Sequence, residues 1–144
     1  DWSDWSSYVK YDRDYDKENA LREFLGIQEG EKYILLNDMF GMYNVHKGVK
    51  RSIPEGYDGK IVKMNIYNEA TIFDWCGIFE NAEEIHTVDT SIQYVIETLD
   101  LDTKLVAHPR HYKNSVPHVA RLFKKPWNWV EYSEQEWKDL CPNG

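Results

Sequence analysis

A mostly parallel α/β sheet of about five strands with helices on both faces is the fold that three features of this sequence predict. Short apolar runs alternate with amphipathic stretches over residues 60–108, the signature of β-α-β units. Residues 33–36 form an unbroken apolar run, as a strand covered on both sides does. The chain has 144 residues, 42% hydrophobic and 15% aromatic, which is the size of one domain with one core. The expected architecture is a single Rossmann-like, three-layer α/β/α domain over residues 32–144. An aromatic, acidic arm and a short helix, residues 1–31, precede it.

The elements follow in order. Trp2, Trp5, Tyr8, Tyr11 and Tyr15 are spread among acids with no steady period, so residues 1–16 read as an arm draped over the domain. Asp16 is placed to cap a helix whose face carries Leu21, Phe24 and Leu25, and Gly26 to end it. A buried strand is expected at 33–38. Five glycines and prolines between 39 and 59 predict a long irregular connection or a small hairpin. A second strand is expected at 60–65. Thr71 then caps a helix burying Ile72, Trp75, Cys76 and Phe79 at i, i+3, i+4, i+7. A strand at 85–88 leads to the best-defined helix, with Ile92, Val95, Ile96 and Leu99 on one stripe and a Thr90-x-x-Gln93 capping box. Strands at 104–107 and 127–132 complete the sheet, and Ser133-Glu-Gln-Glu opens a terminal helix.

Charge excludes some functions and points to others. The formal net charge is -8. Residues 1–31, 32–103 and 126–144 are all acidic, whereas residues 104–125 hold six bases and no acid, together with His108, His111 and His118. This block is either a solvated face or an anion site. Nucleic acid is disfavoured by the overall charge. The longest apolar runs are far too short to cross a membrane. Cys76 and Cys141 form no metal or redox spacing, and with no targeting segment a reduced cytoplasmic setting is expected. The chain begins at Asp1 rather than Met, as an excerpt of a longer protein would.

Ligands of parallel sheets bind beyond the carboxyl ends of the strands. That rule selects Asn37, Asp38 and Gly41 after the first strand, His86, Asp89, Thr90 and Ser91 at the third, and His108 and Arg110 at the fourth. Backbone N–H groups at Thr90 and the Arg110 guanidinium would suit a phosphate. The plainer reading makes Asp89 and Thr90 helix caps and His86 a hydrogen-bonded structural residue. No cofactor motif is present: G-x-G-x-x-G, the P-loop and G-x-S-x-G are all missing. His108-x-x-His111 is interrupted by Pro109, so no metal site is expected.

Residues 71–108 carry a resemblance. Asn81-Ala82, the run Ile85 to Val88, then Asp89-Thr90-Ser91, an amphipathic helix and Lys104 to His108 resemble the C-terminal, donor-binding half of GT-B-fold glycosyltransferases, most closely the heptosyltransferase-like group. Ser91 stands where that group has glycine, and Tyr94 where it has histidine. The resemblance implies that Asp89, Thr90 and Ser91 lie against a nucleotide sugar or nucleoside diphosphate, that His108 and Arg110 address its phosphates, and that Asn37 and Asp38 complete the cleft. It also implies that the acceptor half is missing, so the domain alone would be inactive. The alternative is a noncatalytic, homo-oligomeric interaction domain whose aromatic arm packs on a neighbour.

Overall fold

The computed structural model describes residues 2–41, 44–112 and 119–140. Its elements are α1 (Trp5–Tyr8), α2 (Tyr15–Phe24), β1 (Tyr33–Asn37), β2 (Met39–Phe40), β3 (Asn44–Val45), β4 (Lys60–Lys63), α3 (Cys76–Asn81), β5 (Glu84–Val88), α4 (Ile92–Glu97), β6 (Lys104–His108), β7 (Asn128–Trp129) and α5 (Glu134–Leu140). Five strands form one sheet in the order β4-β1-β5-β6-β7, and every pairing in it is parallel. The α/β fold with a five-stranded parallel sheet is thus as the sequence predicts. β2 and β3 pair antiparallel, so the 39–59 stretch contains a small hairpin, followed by a 3-10 turn at Val49–Ser52.

Strand order dictates which face each connection covers. Crossovers between parallel strands are right-handed, so a step in one direction along the sheet and a step in the other lie on opposite faces. The chain first steps from β1 outward to β4, then back past β1 to β5, β6 and β7. Consequently the 39–59 connection covers one face and α3 and α4 cover the other, where α2 joins them by packing Leu21 into the same cluster.

The helical face holds the main core. Leu35, Ile85 and Leu105 stand in register on neighbouring strands and pack under Trp75, Phe79, Ile92 and Ile96. Phe79, Leu35, Ile85 and Ile96 are each 0% exposed, and complete burial of such a side chain contributes about 1.5–3 kcal/mol. The opposite face has a much smaller apolar cluster, Leu36, Val49 and Val88. Pleat alternation places His86 and His108 on that smaller side.

Local signals account for most helix ends. α2 is capped two residues earlier than expected, by Asp14 rather than Asp16: Asp14 is its N-cap and accepts the Lys17 N–H at 3.1 Å. Phe24 is 70% exposed and does not share the buried face of Leu21. Gly26 ends the helix at φ 71°, a conformation without cost for glycine. The Thr71 backbone N–H donates to Asp74 Oδ2 at 2.8 Å, and the segment enters through a 3-10 turn at Ile72–Trp75 before α3. The Ser133 box forms as expected, with Glu136 N–H on Ser133 Oγ at 3.1 Å and Ser133 N–H on Glu136 Oε1 at 3.2 Å.

Other boundaries differ. Asp38 and residues 64–65 lie past their strands, although Met64 N–H still reaches the Leu36 carbonyl at 2.8 Å. The fifth strand is two residues long, because only Val106 and Ala107 of β6 have partners there. No Thr90 capping box forms: α4 begins at Ile92 without a side-chain cap, and Gln93 is wholly buried instead. The arm packs on its own chain. Trp5 Nε1 donates to the Leu122 carbonyl at 2.7 Å, its ring meets Tyr94, and Tyr11 Oη lies 2.6 Å from Thr98 Oγ1.

Candidate functional site: a cleft at the point where strand order reverses

β1 and β5 are neighbours whose following segments leave toward opposite faces, which opens a crevice between their carboxyl ends. Asn37 spans it. Its Nδ2 donates to Thr87 Oγ1 at 3.0 Å and approaches Thr90 Oγ1 at 3.3 Å, tying the end of β1 to the segment after β5. Asp89 N–H donates to the His108 carbonyl at 2.9 Å, which carries the tie on to β6. The floor of the crevice is therefore fixed by hydrogen bonds between three strands.

Two recesses open above this floor. The first, about 270 Å³, is walled by Met39, Phe40, Met64, Tyr67, Trp75 and Ile92, with Asn37, Thr90 and Ser91 at its polar side. Tyr67 stacks on Trp75 with ring centroids 6.3 Å apart and an interplanar angle of 16°. The second, about 440 Å³, is lined by Asp89, Arg110, His111 and Tyr94. Gly41, Thr90 and Ser91 border both, so the two recesses form one continuous groove. Gly41, at φ 61°, borders both recesses without a side chain.

The electrostatics of the second recess favour an anion near Arg110. Its Nε is buried and has no hydrogen-bond partner among the described residues. A buried donor left unpaired costs about 1–3 kcal/mol, which a ligand acceptor would recover. Burial pushes the Asp89 carboxyl up, against the pull of Arg110 and His111. Asp89 is thereby easier to neutralise than an ordinary aspartate, and in that form can donate a hydrogen bond to an oxygen-rich ligand.

Of the nine residues that sequence position selects, the structure brings six to this groove: Asn37, Gly41, Asp89, Thr90, Ser91 and Arg110. Asp38 faces the other side of the sheet, 3.5 Å from Lys63 Nζ. His86 and His108 are buried under that same side, where Ser52 Oγ joins His86 Nδ1 at 2.7 Å and His108 Nε2 at 2.8 Å. Strand alternation separates them: a residue at a strand end points to one face or the other, and these three point away from the helices.

The basic block is likewise divided. Lys104 lies at the opposite end of β6, 3.8 Å from Glu84, Lys124 pairs with Asp4, and Lys125 Nζ donates to the Leu99 carbonyl. Buried Glu97 organises the turn by accepting the Lys124 N–H, the Lys125 N–H and Trp127 Nε1. Arg110 and His111 are the members that line the groove; Lys113 and His118 lie outside the described residues. The aromatic wall at Tyr67 and Trp75 is the part that sequence reasoning passes over. Its signal is the position of residues 64–67 directly after a strand end.

Among the described residues no cluster of histidine, cysteine or carboxylate side chains is arranged to hold a metal ion, and no helix is long and apolar enough to cross a membrane. No protein-family model, no curated protein and no solved structure matches the chain.

Proposed function

We propose that the groove binds a nucleoside diphosphate or a nucleotide sugar, and that the chain acts as a donor-binding domain of the glycosyltransferase-like kind without completing a transfer alone. The observation that carries this reading is the pairing of two unlike recesses along Thr90 and Ser91. The apolar one, walled by Tyr67, Trp75 and Met64, suits a planar base. The polar one offers the unpaired Nε of Arg110 and the His111 ring to phosphates. Ser91 is exposed between them, within reach of the bridging part of such a ligand.

The resemblance of residues 71–108 to GT-B donor domains supports the same reading from sequence. In that family the acceptor is held by a separate half, which limits this domain to recognition of the donor. The aromatic arm lies against its own domain through Trp5 and Tyr11, so the interaction-domain alternative draws no support from it.

A thermal-shift panel of uridine, guanosine, adenosine and cytidine diphosphates and their sugars tests the proposal. A ligand at 100 times its Kd stabilises the native state by about 2.7 kcal/mol, a shift of several degrees for a domain of this size. At least one of the panel should produce such a shift at millimolar concentration, and Arg110→Ala should reduce affinity about tenfold or more. A flat panel would remove the donor-site reading.

A further inference from the structure

A diphosphate accounts for one end of the second recess and leaves the other unused. Ionised phosphate oxygens only accept hydrogen bonds, so the Arg110 Nε–H, the His111 ring and the hydroxyls of Thr90 and Ser91 suffice for them. Asp89 and Tyr94 line the same recess. An ionised Asp89 is a further acceptor that repels phosphate, and Tyr94 brings an aromatic ring to a place where phosphates need none. The volumes point the same way: the recess that receives the phosphates is about 440 Å³, against about 270 Å³ for the one that receives the base.

Tyr94 is bracketed by rings from elsewhere in the chain. It stands on the first turn of α4, shortly after Ser91, which sets it beside the polar end of the groove. Trp5 of the N-terminal arm meets it at a centroid distance of 5.5 Å, and Phe123 meets it edge-on at 5.0 Å and 67°. Phe123 in turn packs 6.1 Å from Trp127. Hydrogen bonds pin both ends of this run: Trp5 Nε1 donates to the Leu122 carbonyl at 2.7 Å and Trp127 Nε1 to Glu97 Oε2 at 2.9 Å. Phe123 is buried, yet Tyr94 keeps 38% exposure. A ring already held in one orientation gives up little freedom when a ligand settles on it.

A pyranose fits the part that phosphates leave. Its C–H face suits an aromatic ring, whose π face is negative, and its rim of hydroxyls both donates and accepts. Asp89, 5% exposed, is served by such a hydroxyl in either protonation state, as acceptor when ionised and as donor when neutral. We propose that Tyr94, backed by Trp5 and Phe123, is the platform for the sugar of a nucleotide sugar, with Asp89 bonding its hydroxyls. This rests on the reading of the groove as a donor site and narrows it to a pyranose carried on the diphosphate. Tyr94 touches the sugar, whereas Trp5 acts through Tyr94 as a positioning residue. The N-terminal arm thereby belongs to the ligand site.

The order along the groove follows from its lining. The recess at Tyr67 and Trp75 is walled mainly by apolar side chains, among them Met39, Phe40, Met64 and Ile92, and suits a planar base. The recess at Tyr94 combines one ring with Asp89, Arg110, His111 and two hydroxyls, a mixture that a base edge would leave largely unpaired. The base therefore goes to the first recess, the phosphates to Arg110 and the sugar beyond them to Tyr94.

Calorimetry of the intact chain with uridine, guanosine, adenosine and cytidine diphosphates, each free and as its glucose conjugate, tests this. For the nucleotide that binds best, Tyr94→Ala should weaken the conjugate about fivefold more than the free diphosphate, a difference of the size a ring contact provides. Tyr94→Phe keeps the ring and should leave that ratio within about twofold of native. Trp5→Ala should shift the ratio in the same direction as Tyr94→Ala, by about twofold. In the native chain, nuclear Overhauser contacts should join the glucose ring protons to the Tyr94 ring, and these decide the matter if the alanine variant does not fold. Equal weakening of both ligands by Tyr94→Ala, no contact between glucose and Tyr94, or base protons there instead would overturn the platform and leave the groove reading standing. A ratio unmoved by Trp5→Ala would remove the arm from the site. Binding by neither ligand would remove both the platform and the groove reading.

Discussion

The two faces of the sheet solve the same problem by different means. On the helical face, Leu35, Ile85 and Leu105 meet Phe79 and Ile96 in a dry core, and stability comes from apolar area removed from water. On the other face, the small apolar cluster of Leu36, Val49 and Val88 shares the space with His46, His86 and His108, and cohesion comes from directed hydrogen bonds. A dry core is indifferent to pH, whereas a buried imidazole network is not. The groove lies at the edge where these two faces part.

The largest expected effect tests the dry side. Phe79→Ala should cost about 3–5 kcal/mol, read as a fall in the urea unfolding midpoint, since Phe79 is completely buried with the cluster closed around it. A cost below about 1 kcal/mol would mean that the helical face is not the main core. Next comes Arg13, which donates to both Glu18 and Glu80 while Glu18 is only 6% exposed. Arg13→Ala strands a buried carboxylate and should cost about 3 kcal/mol. A double variant with Glu18→Gln should recover part of that loss if the stranded charge is the cause.

The polar side should show itself in pH. His108 is lowered from 6.5 to about 3 in the folded protein, so as pH falls below 6.5 the unfolded chain takes up the proton first. The stability this residue provides is present above pH 6.5 and is lost progressively toward pH 3, by about 2 kcal/mol between pH 6.5 and 4.5. Comparing unfolding midpoints of the native chain and His108→Gln across that interval isolates its share, because the carboxylates are common to both. Parallel pH profiles would break the contrast between the faces.

Trp5→Ala is expected to be milder, about 1–2 kcal/mol, from one hydrogen bond to Leu122 and one ring contact with Tyr94. At the bottom of the scale stands Lys32, whose ion pair with Asp58 is open to solvent. Lys32→Met should leave the midpoint unchanged.

The strands and their parallel pairing were legible because continuous apolar runs and amphipathic helices each carry a distinct period. Asn37, Thr90, Ser91 and Arg110 were legible from the rule that ligands lie past strand ends. What periodicity does not carry is which face a strand-end residue points to, so His86, His108 and Asp38 read like their neighbours in the groove. Nor does a local run of charge reveal that Lys124 and Lys125 are turned toward Asp4 and Leu99 by Glu97, a residue 27 positions earlier than Lys124. Tyr67 and Trp75 meet only after folding, across eight positions of irregular chain and 3-10 turn.

The central claim is that the groove at the reversal of strand order is the ligand site. Backbone amide shifts of the intact chain titrated with the best-binding diphosphate of the panel test it directly. The account predicts saturable shifts concentrated at Gly41, Tyr67, Thr90, Ser91 and Arg110, with residues around His86 unmoved. Shifts confined to the groove beneath α2, around Arg22 and Lys32, or no saturable shift anywhere, would contradict it.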